Sequence, residues 1–383
     1  MSRDQPAPLS ILFAIQTLPP MGGGAEIHAA RLATALRARG HSVRIQTVAE
    51  DSARTTTNPV LSQGSTIARR LYSLRVARTI LFGRGRYSVV HFFLGGRHTA
   101  IGGLACRVAG CPHVVMYGGS GAFDEMGASL LGRLALKADA RLARRLIALN
   151  EGMRQSFRAC GAPDDRIVIL PCEADPDFFS PGDPDAVGAI RTRFAIPPEA
   201  HVISFVGRLV TDKALPTLVA AFGRLSRADP RAVLVLAGEG PERPRLEALI
   251  RALPEPGRAL LTGQLTQIEV RDLLRATDVF ALVSAIEGIP SALVEAMAVG
   301  LPCVVSDIDG MRDIIAPGVD GLQVPQGDEA ALADALLALL SDPPLRLRMG
   351  RAARRHALER YTPAVVAEAH EKLYREILAE AAR

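Results

Sequence analysis

Tryptophan is absent from the 383 residues, aromatic residues make up 4%, and there are five cysteines. The cysteines form no C-x-x-C pair and have no histidine at metal-ligand spacing, which argues against a disulfide scaffold or a zinc site and fits a reducing cytoplasm. No apolar run reaches the roughly 18 residues that a transmembrane helix requires, and no charged-then-apolar signal pattern opens the chain. We therefore predict a cytoplasmic protein without a transmembrane helix.

The overall charge is basic, with a net charge of +5 at pH 7. The few aromatic residues are not interleaved with basic clusters, so we expect no nucleic-acid partner. Phosphorylated substrates or an anionic membrane surface fit this charge better. The length, together with a hydrophobic content of 48%, is sufficient for two globular domains of ordinary size.

The most informative stretch is 284–304, which lies between two apolar runs. Its pattern predicts a buried strand, a loop, a helix over 292–299 that Ser291 caps and Gly300 ends, and a second buried strand. Its candidate functional side chains are two carboxylates eight residues apart, Glu287 in the loop and Glu295 in the helix. In an open α/β sheet, ligands bind beyond the carboxyl ends of the strands, and free helix amides attract anions. Each carboxylate alone would more often be a structural residue than a functional one.

Two other loops carry features suited to a phosphorylated ligand. A triple glycine at 22–24 separates a strand over 10–15 from a helix over 25–38, and such a loop lets a backbone approach a phosphate closely. The loop at 207–213 places Arg208 and Lys213 just beyond another apolar strand. An arginine can clamp phosphate oxygens with two hydrogen bonds, and a lysine adds a point charge. The Pro-, Asp- and Gly-rich segment 180–200 is the best candidate for an interdomain linker.

Segment 67–86 alternates arginines with large apolar residues. This pattern fits a basic amphipathic helix lying on a membrane surface, and it fits equally an ordinary surface helix with one side in the core. Periodicity does not separate the two interpretations.

The motifs together resemble a known family. Glu-Gly-x-Pro, four further residues and then Glu-Ala-Met-Ala-x-Gly-x-Pro, from Glu287 to Pro302, resemble the signature of retaining glycosyltransferase family 4. The Gly-Arg-Leu-x-x-x-Lys string at 207–213 and Gly-Gly-Ala-Glu at 23–26 are similar to its other motifs. The resemblance implies the GT-B fold, which is α/β with two facing Rossmann-like doubly wound domains and an inter-domain cleft. We place these domains at 1–182 and 183–362, and expect the closing helix at 363–383 to return to the first.

The resemblance also implies a function and a site. The expected reaction is retaining, metal-independent transfer of a sugar from a nucleotide diphosphate sugar to an acceptor hydroxyl, with no cofactor, in synthesis of a cell-surface polysaccharide, glycolipid or other glycoconjugate. The expected catalytic residues are Glu287, Arg208 and Lys213. The expected donor-binding residues are Gly23, Gly24, Gly207, Leu265, Gly288, Ile289, Pro290, Ser291, Ala292 and Glu295. The acceptor-side candidates are His91, Gly118, Gly119, Ser120, Asp124 and Glu125. The expected location is the cytoplasm, including its membrane surface.

Two departures from the family pattern keep alternatives open. Relatives carry a His-Gly pair where this chain has Gly118-Gly119, and Asn-Gly-Val where it has Cys172-Glu173-Ala174. A nucleotide-sugar epimerase or hydrolase of the same fold, or a catalytically degenerate partner subunit, would also fit. The two D-x-D matches, at 175–177 and 307–309, are short enough to arise by chance, and we assign no metal to them.

Overall fold

The structure, a computed structural model, describes residues 7–18, 24–48, 66–118, 123, 126–288 and 290–382, and for 66–70, 184 and 185 it describes the backbone alone. The chain forms two compact units. Unit 1 comprises Met1–Cys172 with Pro363–Arg383, and unit 2 comprises Glu173–Thr362.

Unit 1 is built on a six-stranded parallel sheet in the order β2-β1-β3-β4-β5-β6. Its inner strands are short runs of apolar residues, because helices cover both faces of a parallel sheet. The strands are β1 (Ser10–Ala14), β2 (Ser42–Gln46), β3 (Val89–Phe93), β4 (His113–Met116), β5 (Arg145–Ala148) and β6 (Ile167–Ile169).

Helices cover the two faces of this sheet unequally. The helices are α1 (Gly24–Ala38), α2 (Thr66–Phe82), α3 (Arg97–Ala109), α4 (Leu130–Leu142), α5 (Glu151–Ala159) and, from the end of the chain, α14 (Pro363–Ala381). The core on one face joins α1 to α14 through residues such as Leu32 and Tyr374. The core on the other face holds α2 to α5, with Tyr72, Cys106 and Leu136 among its buried residues.

Unit 2 repeats the plan with a second six-stranded parallel sheet, in the order β12-β11-β10-β7-β8-β9. Its strands are β7 (His201–Val206), β8 (Ala232–Ala237), β9 (Ala259–Gly263), β10 (Val279–Leu282), β11 (Cys303–Ser306) and β12 (Gly321–Val324). Its helices are α6 (Pro184–Arg193), α7 (Leu215–Ala228), α8 (Arg243–Arg251), α9 (Gln267–Arg275), α10 (Ser291–Val299), α11 (Asp309–Arg312), α12 (Glu329–Ser341) and α13 (Pro343–Arg360). The prediction of two doubly wound α/β domains is therefore confirmed.

Local sequence signals account for several helix ends. Thr266 and Glu269 form a capping box at the start of α9, and Gly300 ends α10 in the left-handed conformation with φ 93°. The predicted cap at Ser291 is wrong. Pro290 occupies the cap position, Ser291 is the first helical residue, and no side chain caps the helix.

Two other segments differ from their predictions. The predicted linker at 180–200 contains α6, and Ile196 and Ala200 are buried in a core cluster of unit 2. Its proline and aspartate content suits a helix start as well as a loop. The basic segment 67–86 is helical only to Phe82, and a turn follows. Among the described residues, no helix combines the length and the apolar character needed to cross a membrane.

Candidate functional site

The sheet of unit 2 has a topological switch point between β7 and β10. These strands are neighbours, with Ile203 opposite Val279 and Ser204 opposite Phe280. From β7 the chain moves to β8 on one side, and from β10 it moves to β11 on the other. The loops that follow β7 and β10 therefore diverge and leave a crevice at the carboxyl ends of the two strands, where α/β sheets bind ligands.

The loop after β7 is held in place by the loop after β8. The Gly207 amide donates to the Ala237 carbonyl at 2.9 Å, and the Leu209 amide donates to the Glu239 carbonyl at 2.9 Å. A Cβ added at Gly238 would lie 1.8 Å from the Gly207 carbonyl oxygen, so only glycine permits this approach. The backbone on both sides of Arg208 is thereby fixed, while the Arg208 side chain is exposed.

The loops after β7 and β10 are joined by an ion pair. Lys213 Nζ contacts Glu287 Oε2, and the two side chains are only 16% and 8% exposed. The Ser284 hydroxyl donates to the same Glu287 oxygen at 3.1 Å. The Ala285 amide donates to the Asp212 carbonyl at 2.7 Å. The sequence-predicted Lys213 and Glu287 are thus brought together at the switch point.

The start of α10 adds backbone donors to this crevice. The amides of Ser291 and Ala292 lie in the first turn and have no acceptor within the helix, whereas the Leu293 amide bonds the Pro290 carbonyl at 2.9 Å. The partial positive charge at a helix N-terminus favours an anion. Glu295 follows one turn later and is buried. Cations, amides and two carboxylates are therefore gathered on adjacent loops.

Leu265 lies farther along the same edge, after β9, and it is partly buried against a core cluster. One strand, β8, lies between β9 and the strand β7 that borders the crevice. Gly263, which precedes it, has φ 78° and permits the chain to turn at the strand end.

Sequence reasoning missed part of this site. It assigned no role to Gly238 and Gly240, although both lie against the loop that carries Arg208. Two glycines directly after a buried strand were the available signal, because glycine marks a close backbone approach. It also missed Ser284, which no local pattern distinguishes from an ordinary loop serine.

The sheet of unit 1 has its own switch point, between β1 and β3. Gly24 opens α1 after β1, and the Gln16 side chain approaches His98 Nδ1 at 3.5 Å. Leu94, just after β3, has φ 58°, which is a strained conformation for a leucine. A Cβ at Gly118 would lie 2.5 Å from Leu94 Cδ2, so the two loop residues are in close contact.

His91, an acceptor-side candidate, lies inside the core of unit 1. It is fully buried, its ring stacks on Phe93 with centroids 4.0 Å apart, and its Nδ1 lies 2.7 Å from the Tyr374 hydroxyl. Burial, with the neighbouring His370 and His28, holds the pKa of His91 well below its ordinary value. The structure thus places this ring in packing contacts between the sheet and α14.

A buried aspartate links the ends of β4 and α3 in unit 1. Asp139 of α4 accepts a hydrogen bond from the Tyr117 hydroxyl at 2.7 Å, and its Oδ2 lies 2.6 Å from the Thr99 hydroxyl. Thr99 also donates to the Gly96 carbonyl at 2.6 Å. Burial raises the pKa of Asp139 to about 7. A protonated Asp139 that donates to Thr99 satisfies all these groups, since the single Thr99 hydrogen serves only one acceptor. No local sequence pattern predicts this network.

Several predicted residues cannot be placed. Gly23, Gly119, Ser120, Asp124, Glu125 and Ile289 lie outside the described residues.

Three of the four aspartates in the two D-x-D matches, Asp175, Asp307 and Asp309, have side-chain partners within the protein. Asp175 Oδ1 accepts from the amides of Asp177 and Phe178, which makes a local turn. Asp307 and Asp309 both pair with Arg312. Among the described residues, no three His, Cys, Asp or Glu side chains gather at metal-binding distance.

Two family models match the chain, one for each sheet. The model described as Glycosyltransferase Family 4 matches residues 22–178, and the model described as Glycosyl transferases group 1 matches residues 188–356. Together they cover five of the six strands of the first sheet and all six strands of the second. They include the Arg208, Lys213, Glu287 and Glu295 positions.

Several of the similar proteins have glycosyltransferase names. An alpha-D-kanosaminyltransferase of Streptomyces kanamyceticus is 28% identical over 72% of this chain and 73% of its own length. Sucrose-phosphate synthase of Thermosynechococcus elongatus matches with a TM-score of 0.78 at 21% identity, covering 97% of this chain and 100% of that one. Anabaena HepE in complex with UDP matches with a TM-score of 0.76 at 19% identity, covering 96% and 100%. At such identities the structural matches establish the GT-B fold.

Proposed function

This chain belongs to glycosyltransferase family 4, and from that premise we propose that it moves a sugar from a nucleoside diphosphate sugar to an acceptor hydroxyl with retention at the anomeric carbon. The observation that carries the proposal is the meeting of Arg208, the Lys213–Glu287 pair and the α10 N-terminus at one switch point. Such a set of groups suits a ligand with both an anionic and a hydroxyl-rich part.

The proposed role of the cations follows from the chemistry of the leaving group. A glycosyl diphosphate departs through an oxocarbenium-like transition state while negative charge grows on the diphosphate. Arg208, Lys213 and the amides that follow Gly288 would stabilise that charge. Fixed cations and backbone dipoles in a crevice do this with little reorganisation. We therefore propose that transfer proceeds without a metal ion.

The proposed roles of the carboxylates follow from their positions. Glu287, beside Lys213 and Ser284, would accept hydrogen bonds from donor sugar hydroxyls near the anomeric carbon. Binding of the diphosphate would draw Lys213 toward the phosphate, and the Ser284 hydroxyl would remain to orient Glu287. Glu295, one turn into α10, would hold the ribose hydroxyls. Gly207, Leu265 and Pro290 would line the donor through backbone groups, together with Ile289.

We assign no protein nucleophile. In a front-face reaction the leaving phosphate helps to remove the acceptor proton, the acceptor oxygen forms its bond to the anomeric carbon on the face that the diphosphate leaves, and configuration is retained. This scheme requires a charge-stabilising site and a dry pocket, which the residues of unit 2 would supply.

For the acceptor we propose a hydroxyl on a growing glycan or a lipid-linked sugar at the cytoplasmic side of a membrane. The acceptor-side candidates stay those that follow β4 in the sequence: Gly118, Gly119, Ser120, Asp124 and Glu125. His91 would act there only through packing, because its ring is buried.

Product analysis tests this proposal. The protein is incubated with nucleotide sugars, UDP-sugars first because a structural relative holds UDP, with and without a panel of hydroxyl acceptors. We expect an acceptor-dependent product whose new linkage keeps the anomeric configuration of the donor, as read by proton NMR coupling constants. A product with inverted configuration would contradict retention. Nucleotide release or a new sugar isomer without any acceptor would instead identify a hydrolase or an epimerase.

A further inference from the structure

We propose that the outer surface of α2, α3 and α4 docks unit 1 onto an anionic lipid bilayer. These three helices lie side by side on the same face of the sheet, with α3 between the other two. We call their solvent-facing surface the outer helical face. Its exposed large apolar side chains are Leu71, Leu74, Leu81, Phe82, Ile101, Leu104, Val108, Leu130, Leu131 and Leu134.

The middle helix shows the arrangement most clearly. Apart from His98, the inward side of α3 consists of small residues, and a Cβ at Gly102 would come within 2.5 Å of the Phe92 ring, so this helix lies close against the sheet. Its outward side carries Leu104 and Val108, which are 55% and 69% exposed. Large apolar residues therefore point to solvent while small ones fill the core contact. This is the reverse of the usual distribution on a surface helix.

The flanking helices extend this apolar surface on both sides. Phe82, at the end of α2, is 86% exposed, and the Arg78 guanidinium lies over its ring at 5.8 Å. Leu130, Leu131 and Leu134 are exposed at the start of α4. Soluble monomers rarely expose contiguous apolar patches of this extent without a binding role.

The positive charge of the outer helical face indicates which partner it binds. The described side chains of α2, α3 and α4 include exposed cations on all three helices: Arg78, Arg97, Arg107, Arg133, Lys137 and Arg141. Arg84 and Arg86 follow α2 and are also exposed. The acidic residue of these helices is Asp139, and it is buried against Tyr117. An apolar surface surrounded by cations, with no exposed carboxylate on the described part of the three helices, complements acyl chains beneath anionic headgroups.

The proposal widens the membrane interpretation of the sequence, which concerned segment 67–86 alone. Most of the exposed apolar side chains that support it come from α3 and α4, where no basic amphipathic pattern was apparent. Docking would present unit 1 to an acceptor held in the bilayer. This consequence rests on the proposed function. The docking itself depends only on the outer helical face.

The absence of tryptophan makes this face directly testable. Phe82→Trp and Val108→Trp each introduce a single reporter on the face, and Ile268→Trp introduces one at an exposed apolar position of α9 in unit 2. The full-length variants are mixed with vesicles of phosphatidylcholine alone or with phosphatidylglycerol, at low and high salt. We expect a blue-shifted emission and quenching by lipids brominated in the acyl chain for the first two variants, only with anionic vesicles. Ile268→Trp should show neither effect.

Flotation with the same vesicles tests the charge. Reversing two cations in Arg107→Glu/Lys137→Glu should lower the partition coefficient by at least about tenfold, because each cation near an anionic surface contributes on the order of 1 kcal/mol. The matched control Arg224→Glu/Arg227→Glu changes two exposed cations of α7 and should leave partitioning unchanged. Leu104→Ser/Val108→Ser should also release the protein from vesicles.

Three outcomes would overturn the proposal. One is absence of binding to anionic vesicles at low salt, and another is equal binding to neutral vesicles at every salt concentration. The third is a dimer in light scattering that Leu104→Ser/Val108→Ser dissociates, since a second copy would then cover the face. Nucleotide binding by the same variants is measured in parallel. If a variant loses vesicle binding but still binds donor, the result bears only on the outer helical face. If the protein binds vesicles but no donor, the result contradicts only the proposed function.

Discussion

At the scale of single residues, the two cations at the end of β7 differ in their surroundings. Arg208 is exposed, whereas Lys213 is mostly buried and paired with Glu287. If both stabilise the departing diphosphate, Arg208→Ala and Lys213→Gln should each lower kcat by about 10²–10³, which corresponds to about 2.7–4 kcal/mol of transition-state stabilisation. Steady-state kinetics with saturating donor measures this loss.

Two controls separate chemistry from folding in that experiment. Arg224→Ala removes an exposed arginine of α7 and should leave kcat unchanged. Lys213→Gln leaves a buried carboxylate without its cation, so its thermal unfolding is compared with that of Lys213→Gln/Glu287→Gln, which restores neutrality. Unchanged turnover in both Arg208→Ala and Lys213→Gln would contradict the donor-site assignment.

Asp139 predicts a pH dependence of stability in unit 1. Burial raises its pKa from 3.8 to about 7, so the uncharged form is favoured in the folded state. Its contribution is therefore fully present below the unfolded pKa and is lost as pH rises toward about 7. Asp139→Asn keeps an uncharged acceptor for Tyr117. The stability of this variant relative to the wild type should rise between about pH 4 and about pH 8.

Native-state hydrogen exchange of the β4 and α4 amides measures this difference within unit 1. Exchange of β8 amides in unit 2 serves as the internal reference, because Asp139 and its partners Thr99 and Tyr117 belong to unit 1. A difference between variant and wild type that is constant with pH would show that Asp139 is ionised throughout.

At the scale of elements, the loop after β8 controls the loop that carries Arg208. Gly238 has φ 145°, and a Cβ there would meet the Gly207 carbonyl oxygen at 1.8 Å. Gly238→Ala should therefore shift the Gly207–Leu209 backbone, weaken nucleotide binding at least about tenfold and destabilise the fold by about 1–3 kcal/mol. Calorimetric titration and urea unfolding measure the two effects.

The matched control is Gly188→Ala in α6, where a Cβ meets nothing within 4 Å. Because alanine is the better helix former, this variant should gain about 0.5–1 kcal/mol and bind nucleotide normally. Normal nucleotide affinity in Gly238→Ala would show that the Arg208 loop does not depend on the β8 loop.

Elements also show where sequence reasoning succeeds and where it stops. The apolar runs of β7, β10 and β11 and the helix stop at Gly300 were predictable, since burial and glycine conformation are local signals. The Lys213–Glu287 pair and the close contact between Gly207 and Gly238 were not predictable. They join residues that are distant in sequence, and these residues meet only because of the order of the strands in the sheet. The exposed leucines of α3 and α4 could not be distinguished from core leucines by composition. Which side of a helix meets the sheet depends on tertiary packing.

At the scale of the whole molecule, the two units differ in their buried histidines. Burial lowers the pKa of His91, His98, His113 and His370, all in unit 1, to about 4 for His98 and His113 and about 3 for His370. The histidines of unit 2, His201 and His356, instead pair with carboxylates. A histidine with a lowered folded pKa contributes stability that is present above the unfolded pKa of 6.5 and is lost as pH falls.

Unit 1 should therefore unfold first in acid. As pH falls over this range, the unfolded state of unit 1 takes up protons on four histidines, whereas the folded state takes up one proton on Asp139. The unfolded state therefore binds more protons and is favoured. Hydrogen exchange between about pH 7 and about pH 4 should show β1, β3 and α14 losing protection before β7, β8 and β10. Simultaneous loss in both units, or earlier loss in unit 2, would contradict the histidine account.

The central claim is that unit 2 binds a nucleoside diphosphate sugar through Arg208, Lys213 and the start of α10. Thermal unfolding with UDP, GDP, ADP, TDP and their sugar conjugates, each with and without EDTA, tests it most directly. Ligand at about 100 times its Kd should add about 2.7 kcal/mol of stability. We predict stabilisation by one nucleotide family, unchanged by EDTA and lost in Arg208→Ala. Stabilisation by none of them, or stabilisation that Arg208→Ala and Lys213→Gln leave intact, would contradict the account.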